Sequence, residues 1–194
     1  MNVAAGMPQG NPLSSHAAPS GRDHQCRRKE GDMTRVEREH WLTEHNFHSV
    51  DAIVGAAEEG DRPTVQRCAA LTLNESSGGF NVYGHEGASP ELYGQGVTEE
   101  NYKGIYIPNL WRGQNGIGPC QLTSAGYQHD ANRLGGVWNA FCNCRVGFRL
   151  LHELIERYGV WAGAMHYNGS GPAAERYADE FISHERALIA EGLR

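Results

Sequence analysis

Glu75 stands at the end of a helix-like run, Ala69-Ala70-Leu71-Thr72-Leu73-Asn74, and Ser76-Ser77-Gly78-Gly79 follows at once. The run reads as helix and the Ser-Gly stretch as its exit, so the carboxylate falls in a last turn. The negative pole of the helix macrodipole disfavours a charged carboxylate there. Apolar neighbours such as Leu71, one turn earlier, push the same way. A carboxyl group kept neutral near pH 7 is what a general acid requires. A solvated surface glutamate is the ordinary alternative, and Glu75 alone does not decide between them.

Two later segments carry groups suited to work beside an acid. In Gly116-Ile117-Gly118-Pro119-Cys120-Gln121-Leu122, Gly116 and Gly118 would let backbone approach a ligand closely. Gln121 offers a donor and an acceptor, useful for an acetamido group or for orienting neighbours. In Ala164-Met165-His166-Tyr167-Asn168-Gly169-Ser170-Gly171-Pro172, the Tyr167 hydroxyl is expected to hydrogen-bond Glu75. Asn168 is expected to satisfy the backbone of the following turn. The plain alternatives are a buried aromatic and a helix terminator.

The order and spacing of Glu75-Ser76, Gly118-Pro119-Cys120-Gln121 and Tyr167-Asn168-Gly169, with Arg176-Tyr177-Ala178 after them, resemble the lysozyme-like fold of lytic transglycosylases and goose-type lysozymes. The resemblance covers residues 62–182. It implies a mainly α lysozyme-like domain with a long Gly/Tyr-rich loop region after the catalytic helix. It implies cleavage of the β-1,4 bond between N-acetylmuramic acid and N-acetylglucosamine in peptidoglycan. Glu75 would be the catalytic residue, with Ser76, Gly116, Gly118, Gln121, Tyr167 and Asn168 binding the glycan strand. The phrasing of the second segment, with Arg145-Val146-Gly147-Phe148 downstream, looks most like muramidase modules of actinobacterial phage endolysins. That would mean synthesis in a host cytoplasm and action on the wall after release.

Cys120 replaces the family's Met, and core packing is the expected role, ahead of a nucleophile. Arg112 and Thr123 stand where goose-type lysozymes carry aspartates, and no Asp occurs between Glu75 and Asp130. Glu86, Glu91, Glu99 and Glu100 remain as loop acids, with Glu86 the possible second carboxylate. An inverting hydrolase needs a base about 6.5–9.5 Å from the acid. A transglycosylase uses one glutamate as acid and then base. Both mechanisms stay open, as does a wall-binding or virion structural module without turnover.

The elements that position these groups follow from periodicity. A charged helix is expected from Met33, a short one over residues 50–59, and a third up to Glu75 with Asp61 as N-cap and Pro63 in its first turn. Residues 76–116 are irregular and rich in glycine. Tyr83, Tyr93, Tyr102, Tyr106 and Trp111 there suit a groove that stacks on sugar rings. Short strands are expected over 81–83 and 104–107. Val137, Phe141, Cys144, Phe148, Leu151, Ile155 and Tyr158 form one apolar stripe, ended by Gly159. Trp161, Ala164 and Met165 mark a short helix. Pro172 opens a last helix with Tyr177, Ala178, Phe181, Ile182 and Ile189 inward.

The 194 residues and net charge of -6 suit one domain and offer no basic stripe, so nucleic acid is an unexpected partner. The mean hydropathy of -0.57 and the lack of a long apolar run exclude a membrane-spanning helix. Residues 1–33 read as a disordered tail or an over-extended N-terminus without a signal peptide, and 34–194 as the domain. The five cysteines are expected to be reduced. Their spacing does not make a zinc site, so a thiol-metal module is disfavoured. Neither cofactor nor metal is expected, and the partner is a glycan strand met by a monomer.

Overall fold

Thr34 accepts the Glu37 amide at 3.1 Å, and the Glu37 carboxylate accepts the Thr34 amide in return at 2.5 Å. This capping box starts α1 (Arg35–Glu44) and satisfies two amides that the first turn leaves unpaired. The computed structural model describes residues 31–60, 62–84, 92–107 and 116–194, with the side chains of 105 and 106 also outside that set. The expectations for Asp61, Glu86, Glu91, Trp111, Arg112, Cys26 and residues 1–30 of the tail lie outside the described residues.

The described residues are mainly helical, with isolated β-bridges and no extended strand. After α1 come α2 (Val50–Ala57) and α3 (Val65–Ser76). A single turn, α4 (Glu99–Asn101), runs into a π-helical turn, Tyr102–Tyr106. Then follow α5 (Ala125–Leu134), α6 (Ala140–Tyr158), α7 (Val160–Asn168) and α8 (Pro172–Ala190). Among the described residues no helix is long and apolar enough to cross a membrane.

Several expectations change. The N-cap of α3 is Thr64, whose hydroxyl accepts the Arg67 amide, so Pro63 precedes the helix instead of lying in its first turn. Residues 104–107 wind into the π-helical turn and its end, not a strand. Val82 and Tyr83 pair only as single bridges, with Gly96, Tyr93 and Ile117. Helix α6 begins at Ala140 because Asn139 caps the Phe141 and Cys142 amides. Val137 is buried, but in the turn before that cap. Ile189 is 49% exposed and not inward. Helix α5 has no large apolar face. It buries Gln128 and Ala131, a stripe that hydrophobic periodicity does not detect.

Helix α6 packs against α2, α5 and α7, while α3 packs against α8. Phe148, Leu151 and Cys144 of α6 join Phe181 of α8 and Leu71 of α3 in the core, all fully buried. Each Phe or Leu so buried contributes roughly 1.5–3 kcal/mol relative to exposure. Gly31–Arg194 forms one compact unit.

Candidate active site

Helix α3 ends at Ser77, which lies in the left-handed region at φ 52°. Its amide bonds Leu73 O, and the Gly78 amide reaches back to Thr72 O at 2.9 Å, so late carbonyls of the helix are satisfied. Glu75 is therefore in the last turn, where the helix carbonyls are least compensated. Its carboxyl is half-buried. Burial raises its pKa from 4.5 to about 7, against a hydrogen bond from Tyr177 that lowers it. Desolvation outweighs that bond, so the group exchanges its proton near neutrality.

The residue that holds the acid is Tyr177, not Tyr167. The Tyr177 hydroxyl donates to Glu75 Oε1 at 2.5 Å. The Tyr167 hydroxyl donates instead to the Cys120 carbonyl at 2.9 Å. The physical reason is the packing of α8 along α3, which presents Tyr177 to the last turn of α3. Tyr167, at the end of α7, meets the loop that carries Cys120. Burial pushes both phenols well above their usual range, so each remains a donor.

Two depressions meet at Glu75 and Gln121. The first, of about 280 Å³, is lined on its far side by Thr123, Tyr127, Leu150, Tyr167 and Asn168. The second, of about 260 Å³, is lined by Ser77, Phe80, Tyr83, Gly84 and Tyr93. Among the described residues Glu75 is the one carboxylate on either lining. Phe80 and Tyr93 on one side and Tyr127 on the other are exposed aromatics. Tyr83 and Tyr102, expected in a stacking groove, are buried.

Several residues expected to touch a sugar also hold the loops, and Ser76 lines the second depression beside Ser77 and Phe80. Ser76 Oγ donates to Pro119 O at 2.7 Å and accepts the Gly79 amide at 3.1 Å. Its hydroxyl thus ties the end of α3 to the second segment. Gly116 O accepts the Gly84 amide and the Gly118 amide donates to Val82 O. Both glycines are buried. A Cβ on Gly118, at φ +75°, would lie 2.6 Å from Asn143 Nδ2, so the bare backbone there makes room for the Asn143 side chain. Asn143, fully buried on α6, donates to Ile117 O at 2.8 Å and accepts the Cys120 amide at 2.9 Å.

Gln121 is 4% exposed, with φ 45°. Its Nε2 donates to Gly118 O at 2.8 Å and Val82 O at 3.2 Å. Its buried Oε1 meets no donor among the described residues and packs on Gly84, where a Cβ would come within 1.9 Å of it. The orienting role read for Gln121 is the one its amide nitrogen plays. Asn168 is exposed at the rim of the first depression, the last residue of α7 before its cap at Gly169.

Cys120 is fully buried and burial raises its thiol pKa strongly, which keeps it protonated and unreactive. Cys68, Cys142 and Cys144 are likewise buried free thiols. Among the described residues no three His, Cys, Asp or Glu side chains gather to hold a metal ion.

Tyr177 and Asn143 were not assigned site roles from sequence. Tyr177 was legible as an inward residue of the last helix, but its hydroxyl partner depends on the α3–α8 packing. Asn143 interrupts the buried face of α6 between Cys142 and Cys144, and that interruption was the available sign. Comparison of the chain with models of protein families, with curated proteins and with solved structures found no match in any of the three.

Proposed function

We propose that this protein cleaves the β-1,4 bond between N-acetylmuramic acid and N-acetylglucosamine in peptidoglycan, with Glu75 as general acid and then general base. The observation that carries the reading is the placement of Glu75. A carboxyl that titrates near neutrality stands at the junction of two depressions, held by Tyr177, with no second carboxylate among the described residues lining them. The three ordered segments and the helical frame support a lysozyme-like domain. A phage endolysin acting as a monomer on the wall fits the same reading.

Because Tyr177 donates to Oε1, the transferable proton belongs on Oε2. Protonated Glu75 gives that proton to the glycosidic oxygen as the bond from the muramyl anomeric carbon breaks. The resulting carboxylate then takes the proton of the muramyl C6 hydroxyl, whose oxygen closes on the anomeric carbon. No water is consumed, and Glu75 ends protonated. The tethered hydroxyl has a far higher effective concentration than water, and one carboxylate serves both steps.

Digestion of purified peptidoglycan followed by mass analysis tests this. The expected products are 1,6-anhydromuramyl ends, one water lighter than hydrolysed ends and inert to borohydride. Reducible muramic ends alone would replace the reading with hydrolysis, and Glu86 would be the first residue to substitute. Binding without any cleavage would leave a wall-binding module.

A further inference from the structure

We propose that His184, acting through Asn74, is a positioning residue for the Glu75–Tyr177 pair. The proposal rests on the reading of Glu75 as the acid. Asn74 precedes Glu75 on α3, and its Nδ2 donates to the Tyr177 backbone carbonyl at 3.0 Å. Its Oδ1 lies 2.7 Å from His184 Nδ1. A carbonyl can only accept, so Nδ2 is the amide atom facing Tyr177 and Oδ1 is left facing the ring. His184 Nδ1 therefore carries a proton and donates it. The link runs from His184 to Asn74, from Asn74 to the Tyr177 backbone, and from the Tyr177 hydroxyl to Glu75.

Spacing shows why this link sets geometry. Tyr177, Phe181, His184 and Leu188 recur at four, three and four residues on α8, the stripe that packs on α3. Three of the four are buried hydrophobic side chains. His184 is the polar interruption, opposite Asn74, the α3 residue that precedes the acid. An apolar pair at 74 and 184 would leave α8 freer to shift beside Tyr177, since the Arg67–Glu185 ion pair ties the two helices seven residues earlier on α3. Two directional bonds fix that freedom beside Tyr177. The ring borders a depression of about 280 Å³ shared with Phe47, Leu73 and Leu188.

The test uses the Glu75 carboxyl as its own reporter. Carbon-13 NMR titration of the side-chain carboxyls in the full chain follows Glu75, with Glu75→Gln assigning its signal. The titratable groups that face it are Tyr177 on α8, Tyr167 on α7 and Cys120 on the loop, and all three stay protonated through the range. The Tyr177 bond lowers the Glu75 pKa, so loosening it must raise the midpoint. His184→Leu is expected to raise it by about half a pH unit, roughly a threefold change in the acid–base equilibrium. His184→Asn, whose amide nitrogen can occupy the Nδ1 position, should restore the wild-type value.

In a Tyr177→Phe background His184→Leu should add no further shift, because the link ends on that hydroxyl. An unchanged midpoint in folded His184→Leu overturns the proposal, and so does an equal shift in the Tyr177→Phe background. Should His184→Leu fail to fold, His184→Phe keeps a ring at the position, removes the Nδ1 donor and is read by the same criteria. The readout does not depend on wall cleavage. A shifted midpoint in a protein that leaves the wall intact upholds the link and overturns the proposed function.

Discussion

The two depressions beside Glu75 are built differently. Tyr127, Leu150, Tyr167 and Asn168 in the first belong to α5, α6 and α7, whose backbones are fixed by their own hydrogen-bond ladders. Phe80, Gly84 and Tyr93 in the second belong to connecting chain. That chain is held by single bridges at Val82 and Tyr83, by the Gln121 amide and by the Asn143 clamp on residues 117–120. A helical wall distributes its stability over many equivalent bonds. A loop wall concentrates it in a few buried polar groups, each costly to leave unpaired. Position of the acid depends on both.

The largest effect should come where the two walls meet. Glu75→Gln keeps shape and removes the proton donor, so wall clearing should fall by about 10²–10⁴-fold while the fold is retained. Turbidity loss of wall suspensions together with circular dichroism measures both. Clearing within about tenfold of wild type would refute the assignment.

Gly118→Ala separates the walls. It forces a side chain into a left-handed position 2.6 Å from the Asn143 amide, and about 3 kcal/mol of stability should be lost. Leu150→Ala on the helical wall trims a half-buried side chain and should cost less, about 1–2 kcal/mol. Denaturant unfolding compares them, and equal losses would erase the contrast drawn between the walls.

The junction itself should show in stability against pH. Glu75 has a folded pKa of about 7 against 4.5 unfolded, so the native state holds the extra proton between those values. Its contribution is fully present below pH 4.5 and is lost as pH rises through 7. Glu75→Gln lacks this dependence. Relative to wild type it should gain no more than about 3 kcal/mol between pH 4 and pH 8. Parallel stability curves for the two proteins would mean that Glu75 titrates normally.

The smallest effects belong to the exposed aromatics. Tyr127→Ala on the helical side and Tyr93→Ala on the loop side should each cost about 1 kcal/mol of glycan binding, roughly fivefold in KM. Unchanged kcat in both would mark them as platforms. A loss confined to one residue would show that the substrate engages one side only.

Much of the helical frame was legible. Most of the stripe expected from Val137 to Tyr158 and the Pro172 start of α8 follow from apolar spacing and proline chemistry, which act locally, although Tyr158 at its end is exposed. Helix α5 was not, because Gln128 and not a large apolar residue fills its inner face. Gln128 Nε2 donates to Leu122 O and its Oε1 accepts from the Tyr102 hydroxyl. The last-turn place of Glu75 and its raised pKa were legible from its own helix end. Its partner was not, since a tyrosine at either 167 or 177 satisfies the local pattern and only tertiary packing selects one. Gly116 and Gly118 are buried against protein, and Ser76 both ties two loops and lines the second depression. Small and polar residues near a site serve equally to face a ligand and to let protein pack on protein, and sequence does not tell the two apart.

Helix ends ordinarily fray, yet the end of α3 is gripped from both sides. The His48 amide reaches Gly78 O at 2.6 Å from the α1–α2 connection, while Ser76 Oγ reaches Pro119 O at 2.7 Å. Opening this turn requires parting segments about thirty residues upstream and forty downstream. Amide protons of residues 77–80 should therefore exchange with solvent only when the whole domain opens, matching those of α6 instead of an ordinary terminus. Heat inactivation should then coincide with global unfolding, with no earlier stage in which the protein stays folded but has lost its acid.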